Sequence, residues 1–497
     1  MRGERVVSGR GSGLEPVIGL EIHVQLTNVG SKLFCSCESD YRGFKPNTNV
    51  CPVCLGMPGA LPVPQEAPVA AAVAASLGLG CRLPRAIVFT RKHYFYPDLP
   101  KNYQITEYEG AHGAPVCLGG VFKYLDPAVW EWRSVRIRRI NLEEDPGRSV
   151  YDRGGIIGSP VVRVDYNRSG VALLEVVTEP DLRGPRDARA MIEYLLLTLE
   201  YMGVTNPRLE GAFRVDANIS LPGGERVEVK NIGSTLDVEK ALKYEILRQS
   251  KILEHGGRVE RETRHWDSAR GVTRSLRHKE EEEEYLYFPD PDLPPVHLTT
   301  SLLAKARSLL KLTPEDVLST LLSDGATREQ AWSITSTPAL ARLYLEARQS
   351  VGDKRILARL IGIDLKGALK DAGRDPYDPA NLPPTATIAA LAEIVSKGEL
   401  PYDAVKGLIL PRLAQNPNAR LEELKPEKAR ISREEILEVL RAEEKAVCDY
   451  LAGNTRALNY LVGRVIRRIG RRAVDPRLLR RTIEELVEEK RSEWRCR

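Results

Sequence analysis

Four of the chain's eight cysteines, Cys35, Cys37, Cys51 and Cys54, stand as C-x-C, thirteen intervening residues, then C-x-x-C. Two close thiol pairs joined by a loop have the ligand spacing of a tetrahedral zinc site, and four sulfurs leave no open position for water or substrate. Such a centre ties a loop and does no chemistry. Pro46-Asn47 and Pro52 add turns where the loop must fold back. The bland alternative is four ordinary buried or free thiols. In a reducing cytoplasm clustered cysteines favour a metal over disulfides; Cys81, Cys117, Cys448 and Cys496 lack ligand spacing and read as structural or incidental.

The reacting groups must then lie elsewhere, and carboxylates on strand-like runs supply them. PVIGLEIHVQL (16–26) alternates apolar and polar residues, which predicts a strand with Glu21 and His23 on one face. VRIRRINLEED (135–145) ends in Glu143, Glu144 and Asp145, and VALLEVVTEPD (171–181) carries Glu175 and Glu179. Residues 212–231 predict a hairpin with its turn at Pro222-Gly223-Gly224, bearing Arg214, Asp216 and Asn218 on one strand and Glu228 and Lys230 on the other. Singly, each is the wet face of a half-buried strand. Together, several carboxylates and one imidazole form an oxygen-rich set that suits Mg²⁺, especially when substrate phosphates complete its shell. Arg214 and Lys230 suit phosphate oxygens. The sequence contains neither G-x-x-x-x-G-K-[ST] nor G-x-G-x-x-G, so a nucleotide needs an unconventional site.

The length of 497 residues implies about three domains. With 42% hydrophobic and 28% charged residues the composition is that of an ordinary globular protein, and no apolar run approaches the ~18 residues of a membrane span. The opening MRGERVVSGRGSGLEP lacks an apolar stretch and reads as a leader, not a signal peptide, so the expected location is the cytoplasm, with no membrane partner. Beyond Pro294 the pattern turns helical, as in SLLAKARSLL and ARLYLEARQS, with a Pro-rich break at DPYDPANLPPT. The last stretch places Leu458, Leu461, Val462 and Val465 at amphipathic spacing beside Arg464, Arg467, Arg468, Arg471 and Arg472, an electrostatic footprint for an RNA backbone. Glu280–Glu284 reads as a solvated face.

The runs VIGLEIHVQL, CPVCLGMPGALPVP, RKHYFYPDLPKNYQIT, NLEEDPGRS, LLEVVTEPDL, FRVDANIS, VEVKNIGS, ETRHWD and RSLRHKEEEEEYLYFPDPDLPPV closely resemble, in order, the GatB family, the B subunits of glutamine-dependent aspartyl/glutamyl-tRNA amidotransferases. AVCDYLAGNTRALNYLVGRVIRRIGRRAVDPRLL resembles that family's YqeY-like tail. The resemblance implies an α+β protein: a β-rich cradle with a zinc-binding loop (1–295), a helical domain (296–412) and a small helical YqeY-like tRNA-binding tail (413–497). It implies a carbon–nitrogen ligase with glutamine as amido donor. The side-chain carboxylate of Asp-tRNA(Asn) or Glu-tRNA(Gln) is phosphorylated with ATP and Mg²⁺, and ammonia from an amidase A subunit then displaces the phosphate. A small C subunit completes a heterotrimer.

Carried over residue by residue, the resemblance implies His23, Glu144 and Glu228 as the strongest Mg²⁺ ligands, with Glu21, Glu143 and Asp216 nearby. Lys92 and Tyr94 are implied catalytic residues. Tyr96, Lys101, Tyr103 and Gln104, with Arg214 and Lys230, are implied to receive the aminoacyl end, and Cys35, Cys37, Cys51 and Cys54 to hold structural Zn²⁺. Gly211-Ala212-Phe213 and His278 depart from the expected pattern without removing a ligand. One alternative is the archaeal GatE subunit, which serves only Glu-tRNA(Gln) and carries an inserted domain that FPDPDLPPV, running straight into helices, leaves no room for. A non-enzymatic zinc-containing tRNA-binding protein is the alternative from another class.

Overall fold

The structure is a computed structural model and describes residues 14–152, 159–276, 285–424, 432–469, 476–494 and 496. Glu280–Glu284, His278, Arg471 and Arg472 lie outside these. The architecture is α+β, and the chain divides into two compact units, Met1–Thr313 and Pro314–Arg497.

The strands of the first unit are β1 (Val17–Gln25), β2 (Ala86–Ile87), β3 (Thr90–His93), β4 (Tyr103–Thr106), β5 (Gly120–Asp126), β6 (Glu131–Glu144), β7 (Arg148–Tyr151) and β8 (Val162–Asp165). They continue as β9 (Ala172–Thr178), β10 (Phe213–Ser220), β11 (Val227–Ile232), β12 (Glu262–Asp267), β13 (Val272–Ser275), β14 (Phe288–Pro289) and β15 (Val296–His297). Eight form one sheet in the order β13-β12-β11-β10-β1-β9-β6-β5. Its neighbours are antiparallel except β11 and β12. A parallel pair needs a long crossover, and the helix α3 described below supplies it.

Alternation along β1 decides which way the sheet faces. Ile18, Leu20, Ile22 and Val24 are at most 1% exposed, and they join Leu174, Val176, Val215, Ala217, Ile219, Val227 and Val229 in the core. Three helices belong to this layer: α1 (Glu66–Gly78), α2 (Pro185–Tyr201) and α3 (Thr235–Glu254). The last two pack on the sheet, α2 against β1 and β5 and α3 against β10, β11 and β13. Pro185 preorganises the first turn of α2, and the Ser234 hydroxyl accepts from the Asp237 amide at the start of α3 (3.0 Å). Val69 to Ser76 of α1 are buried all round, as an Ala-rich helix without a polar face must be. Helix α4 (Thr300–Ser308) packs on α1, and β15 pairs with β2, so elements beyond residue 295 complete the first unit. The smaller sheet β14-β3-β4 lies beside β6.

The second unit is helical. Helices Arg433–Ala442, Glu444–Leu451, Thr455–Ile469 and Pro476–Glu489 surround their own core, which includes Ile436, Leu440, Leu458, Leu461, Val465, Ile483 and Trp494. A capping box of Ser432 and Glu435 starts the first of them. The helix Leu410–Gln415 runs across residue 412. No described helix is long and apolar enough to cross a membrane.

The cysteines without ligand spacing are paired as two disulfides, Cys81–Cys117 and Cys448–Cys496. Their partners are 36 and 48 residues apart, so only the folded chain reveals them. The second closes a loop of the tail that holds its last two long helices, and loop-closure entropy gives such a cross-link a stabilisation of about 2–4 kcal/mol. Cys448→Ser should therefore lower the tail's thermal transition by several degrees and make it insensitive to dithiothreitol in scanning calorimetry. A wild-type transition that ignores reductant would exclude the pairing.

Candidate active site and metal centres

The face of the large sheet opposite the helices carries a polar row assembled by strand register. His23 stands opposite Glu175 of β9 and Arg214 of β10; Glu21 stands opposite Asp216, Glu175 opposite Asn141 of β6, and Asn218 opposite Glu228 of β11. Period-two alternation keeps all of them on one side. His23 Nε2 lies 3.5 Å from Glu21 Oε1, 3.8 Å from Glu175 Oε1 and 3.9 Å from Glu143 Oε1. Glu143 accepts from Thr106 Oγ1 (2.9 Å) and Glu175 from Asn141 Nδ2 (2.5 Å).

Electrostatics in this group are those of a cation site. Burial, then Glu175 and Asp216, hold the Glu21 carboxyl well above its ordinary range. Burial likewise raises Glu143. Burial, with Arg214, Lys92 and Lys230 nearby, pushes the His23 imidazole well below its usual value, so the ring is neutral and keeps a lone pair. One ligand atom each from Glu21, His23 and Glu175 fall within 4.8 Å of one another, and the buried Asn141 Oδ1 and Asn218 Oδ1 lack hydrogen-bond partners. Clustered carboxylates with one neutral imidazole and unspent oxygens fit a hard divalent cation.

The other implied residues divide into neighbours of this group and residues set apart from it. Lys92 faces Glu143 and His23 electrostatically, and its Nζ lies 4.7 Å from the centre of the Tyr285 ring. Burial, then Glu143, raises the Tyr94 phenol, and Tyr96 packs edge-on against Tyr94 while remaining exposed. Asp216 and Glu228 gather around Lys230, with Nζ 3.1 Å from the first and 3.4 Å from the second. Asn231 adopts a left-handed φ of 61°, and its amide donates to Asp216 Oδ1 (2.7 Å). Glu144 is turned away from His23: its carboxylate accepts from Lys101 Nζ (2.6 Å) and the Ile105 amide (3.0 Å), while its carbonyl accepts from Gln104 Nε2 (2.8 Å). Burial pushes the Tyr103 phenol up to about 12, and the Arg91 guanidinium lies over its ring at 4.2 Å.

Two acids that stand among the strand carboxylates of the sequence reading receive no individual role there. Glu175 is the lone charge inside the apolar run VALLEVV, and that interruption was its signal. Asp145 is buried and accepts from Gln25 Nε2 (2.6 Å) and Arg214 Nη1 (3.3 Å). Burial would raise it, but Arg168 and Arg214 hold it below the usual carboxylate range.

The four clustered cysteines also converge, with their sulfurs within 4.8 Å of one another. The Cys35 thiol, assisted by Lys32, holds Cys54 down to about 5, while burial lifts Cys37 to about 11. Four sulfurs at one point fit tetrahedral zinc. In the second unit Arg467 and Arg468 are exposed, whereas Arg464 is paired with Glu443.

A neutral buried His23 makes stability pH-dependent. The unfolded imidazole binds a proton near pH 6.5 while the folded one does not, so stability falls as pH drops below about 6.5, by at most about 1.4 kcal/mol per pH unit. His23→Gln should lose less stability than wild type between pH 7.5 and 5.5, as read from urea midpoints; equal losses would contradict the neutral ring.

Known proteins resemble the chain along most of its length. The GatB/GatE catalytic domain family matches residues 16–304, and the GatB domain family matches residues 342–487. The B subunit of the aspartyl/glutamyl-tRNA(Asn/Gln) amidotransferase of Aeropyrum pernix is 62% identical over 478 residues, 95% of this chain and 98% of that protein. The proteins of the same name from Sulfurisphaera tokodaii and Methanospirillum hungatei are 43% and 42% identical, over 95% and 96% of this chain and 99% of each relative. On full-length similarity and both domain matches, the chain belongs to the family of aspartyl/glutamyl-tRNA(Asn/Gln) amidotransferase B subunits.

Proposed function

We propose that this chain is the component that activates and amidates the side-chain carboxylate of Asp-tRNA(Asn), Glu-tRNA(Gln) or both, using ATP, Mg²⁺ and ammonia from an A-subunit amidase within an A–B–C heterotrimer in the cytoplasm. The observation that carries this reading is the polar row in which His23, Glu21, Glu143 and Glu175 meet on one sheet face. A carboxylate is a poor electrophile and ammonia cannot displace oxide from it, so an acyl phosphate must come first. Mg²⁺, when bound, neutralises charge on the transferring phosphoryl group.

The chain's own residues position the reactants. Glu21, His23 and Glu175, with Glu143 beside them, are the ligands for Mg²⁺; neutral His23 offers a lone pair, and Thr106 and Asn141 orient two of the carboxylates. Lys92, Arg214 and Lys230 border the row and meet phosphate oxygens. Asp145 aims Arg214, and Glu144 fixes the segment of Lys101, Tyr103 and Gln104 along which the aminoacyl end is received. Asp216 and Glu228 serve by holding Lys230. The four thiolates hold zinc as a structural centre, and the exposed basic helix of the tail reads RNA shape through phosphates and 2′-hydroxyls.

The test is a transamidation assay with the A–B–C complex, ATP, Mg²⁺ and glutamine, offering the two misacylated tRNAs separately. Amide formation dependent on ATP and on this chain is expected. No product from either tRNA, given a competent amidase, would leave only a zinc-containing tRNA-binding role. His23→Ala and Glu175→Gln should each lower phosphorylation at least about 100-fold while tRNA binding persists; normal turnover in both would sink the metal assignment. Arg467→Glu with Arg468→Glu should do the reverse, weakening tRNA binding roughly tenfold or more and flattening its salt dependence. Unchanged affinity and salt slope would remove the tail's role.

A further inference from the structure

Lys32 is wholly buried, at 0% exposure. An ammonium withdrawn from water needs a compensating anion, because an unpaired buried charge costs several kcal/mol. Among the described residues no carboxylate pairs with it. Nζ donates to the Asn49 carbonyl (2.8 Å) and to Cys54 Sγ (3.6 Å), the one potential anion it reaches among the described residues. The surroundings are built to hold it there. The Lys32 amide donates to the Cys37 carbonyl (2.8 Å), so both ends of the residue are fastened to the cysteine loop. Gly170 covers the stem at a φ of +84°, and a Cβ there would meet Cys54 Cβ at 3.3 Å and Lys32 Cδ at 3.7 Å. Ser169 Oγ donates to the Cys54 carbonyl (2.9 Å), which anchors the backbone that carries this sulfur.

We infer that Lys32 is the counter-cation of the cysteine centre: its ammonium donates to the Cys54 sulfur and offsets part of the charge of four thiolates on a divalent ion, and so sets the affinity for that ion. This rests on the zinc reading of the four cysteines. A divalent ion held by four thiolates keeps a net negative charge, and inside a protein that charge is costly unless a cation or dipoles face it. Partners that stand behind the ligands typically change metal affinity about 10–100-fold. Lys32 is a positioning residue: it touches a ligand and not the ion.

The test compares full-length wild type with Lys32→Met, whose unbranched side chain fills the same space without the charge. Zinc affinity is measured by chelator competition at fixed pH, Co²⁺ binding by the thiolate-to-metal absorption band, and thermal midpoints are recorded with and without zinc. Lys32→Met should bind zinc about 10–100-fold more weakly, with a zinc-free midpoint no lower than that of zinc-free wild type. If Lys32 only packs, both midpoints fall together and zinc affinity is unchanged, and the proposal is overturned. Should Lys32→Met not accumulate folded, Lys32→Gln, which keeps a donor toward Asn49 and lacks the charge, takes its place with the same readouts. Wild type that binds neither zinc nor Co²⁺ would instead defeat the zinc reading itself.

Discussion

The alternation of residues along β1 is the constraint on which the rest depends. Ile18, Leu20, Ile22 and Val24 seal the core under the helices, while Glu21, His23 and Gln25 stand on the other side with charged neighbours from β9 and β10. A slip of one residue would exchange the two sets, burying acids among leucines and stripping the site. Flanking strands lock the register on both sides, so the energy that holds the fold together also holds the reacting groups in place.

That arrangement concentrates like charge where water is scarce. Glu21, Glu143 and Glu175 crowd one imidazole, and burial raises the first two carboxyls. The sheet tolerates this because the row is bordered by Lys92, Arg214 and Lys230, each tied to an acid of its own or facing one. Asp145 and Glu144 work in the opposite sense from their neighbour Glu143. Asp145 braces the Arg214 side chain and Glu144 the Lys101 side chain.

Much of this was legible from residues alone. The β1 alternation, the hairpin of β10 and β11 and the thiol spacing follow from period and composition, and the helical second unit from its apolar repeats. The acids of NLEED were harder. Adjacent residues on a strand alternate in direction, and here Glu143 meets His23 and Thr106 while Glu144 bonds Lys101 and the Ile105 amide. Asp216 and Glu228 do share a face, yet register brings them to Lys230 instead of His23. Lys32 and the two disulfides left no trace in the sequence, because their meaning depends on contacts between distant segments.

The cysteine loop, finally, is fastened to the segment that leads into β9. The Cys54 carbonyl meets Ser169, the Asn49 amide meets Asn167 and the Asn47 amide meets Asp165, across sequence separations of 115, 118 and 118 residues. Glu175 follows a few residues later. Contacts so distant along the chain slow folding, because a long loop must close before any of them forms. During synthesis, His23 emerges long before its partner, and the reacting row has no existence until β9 has left the ribosome.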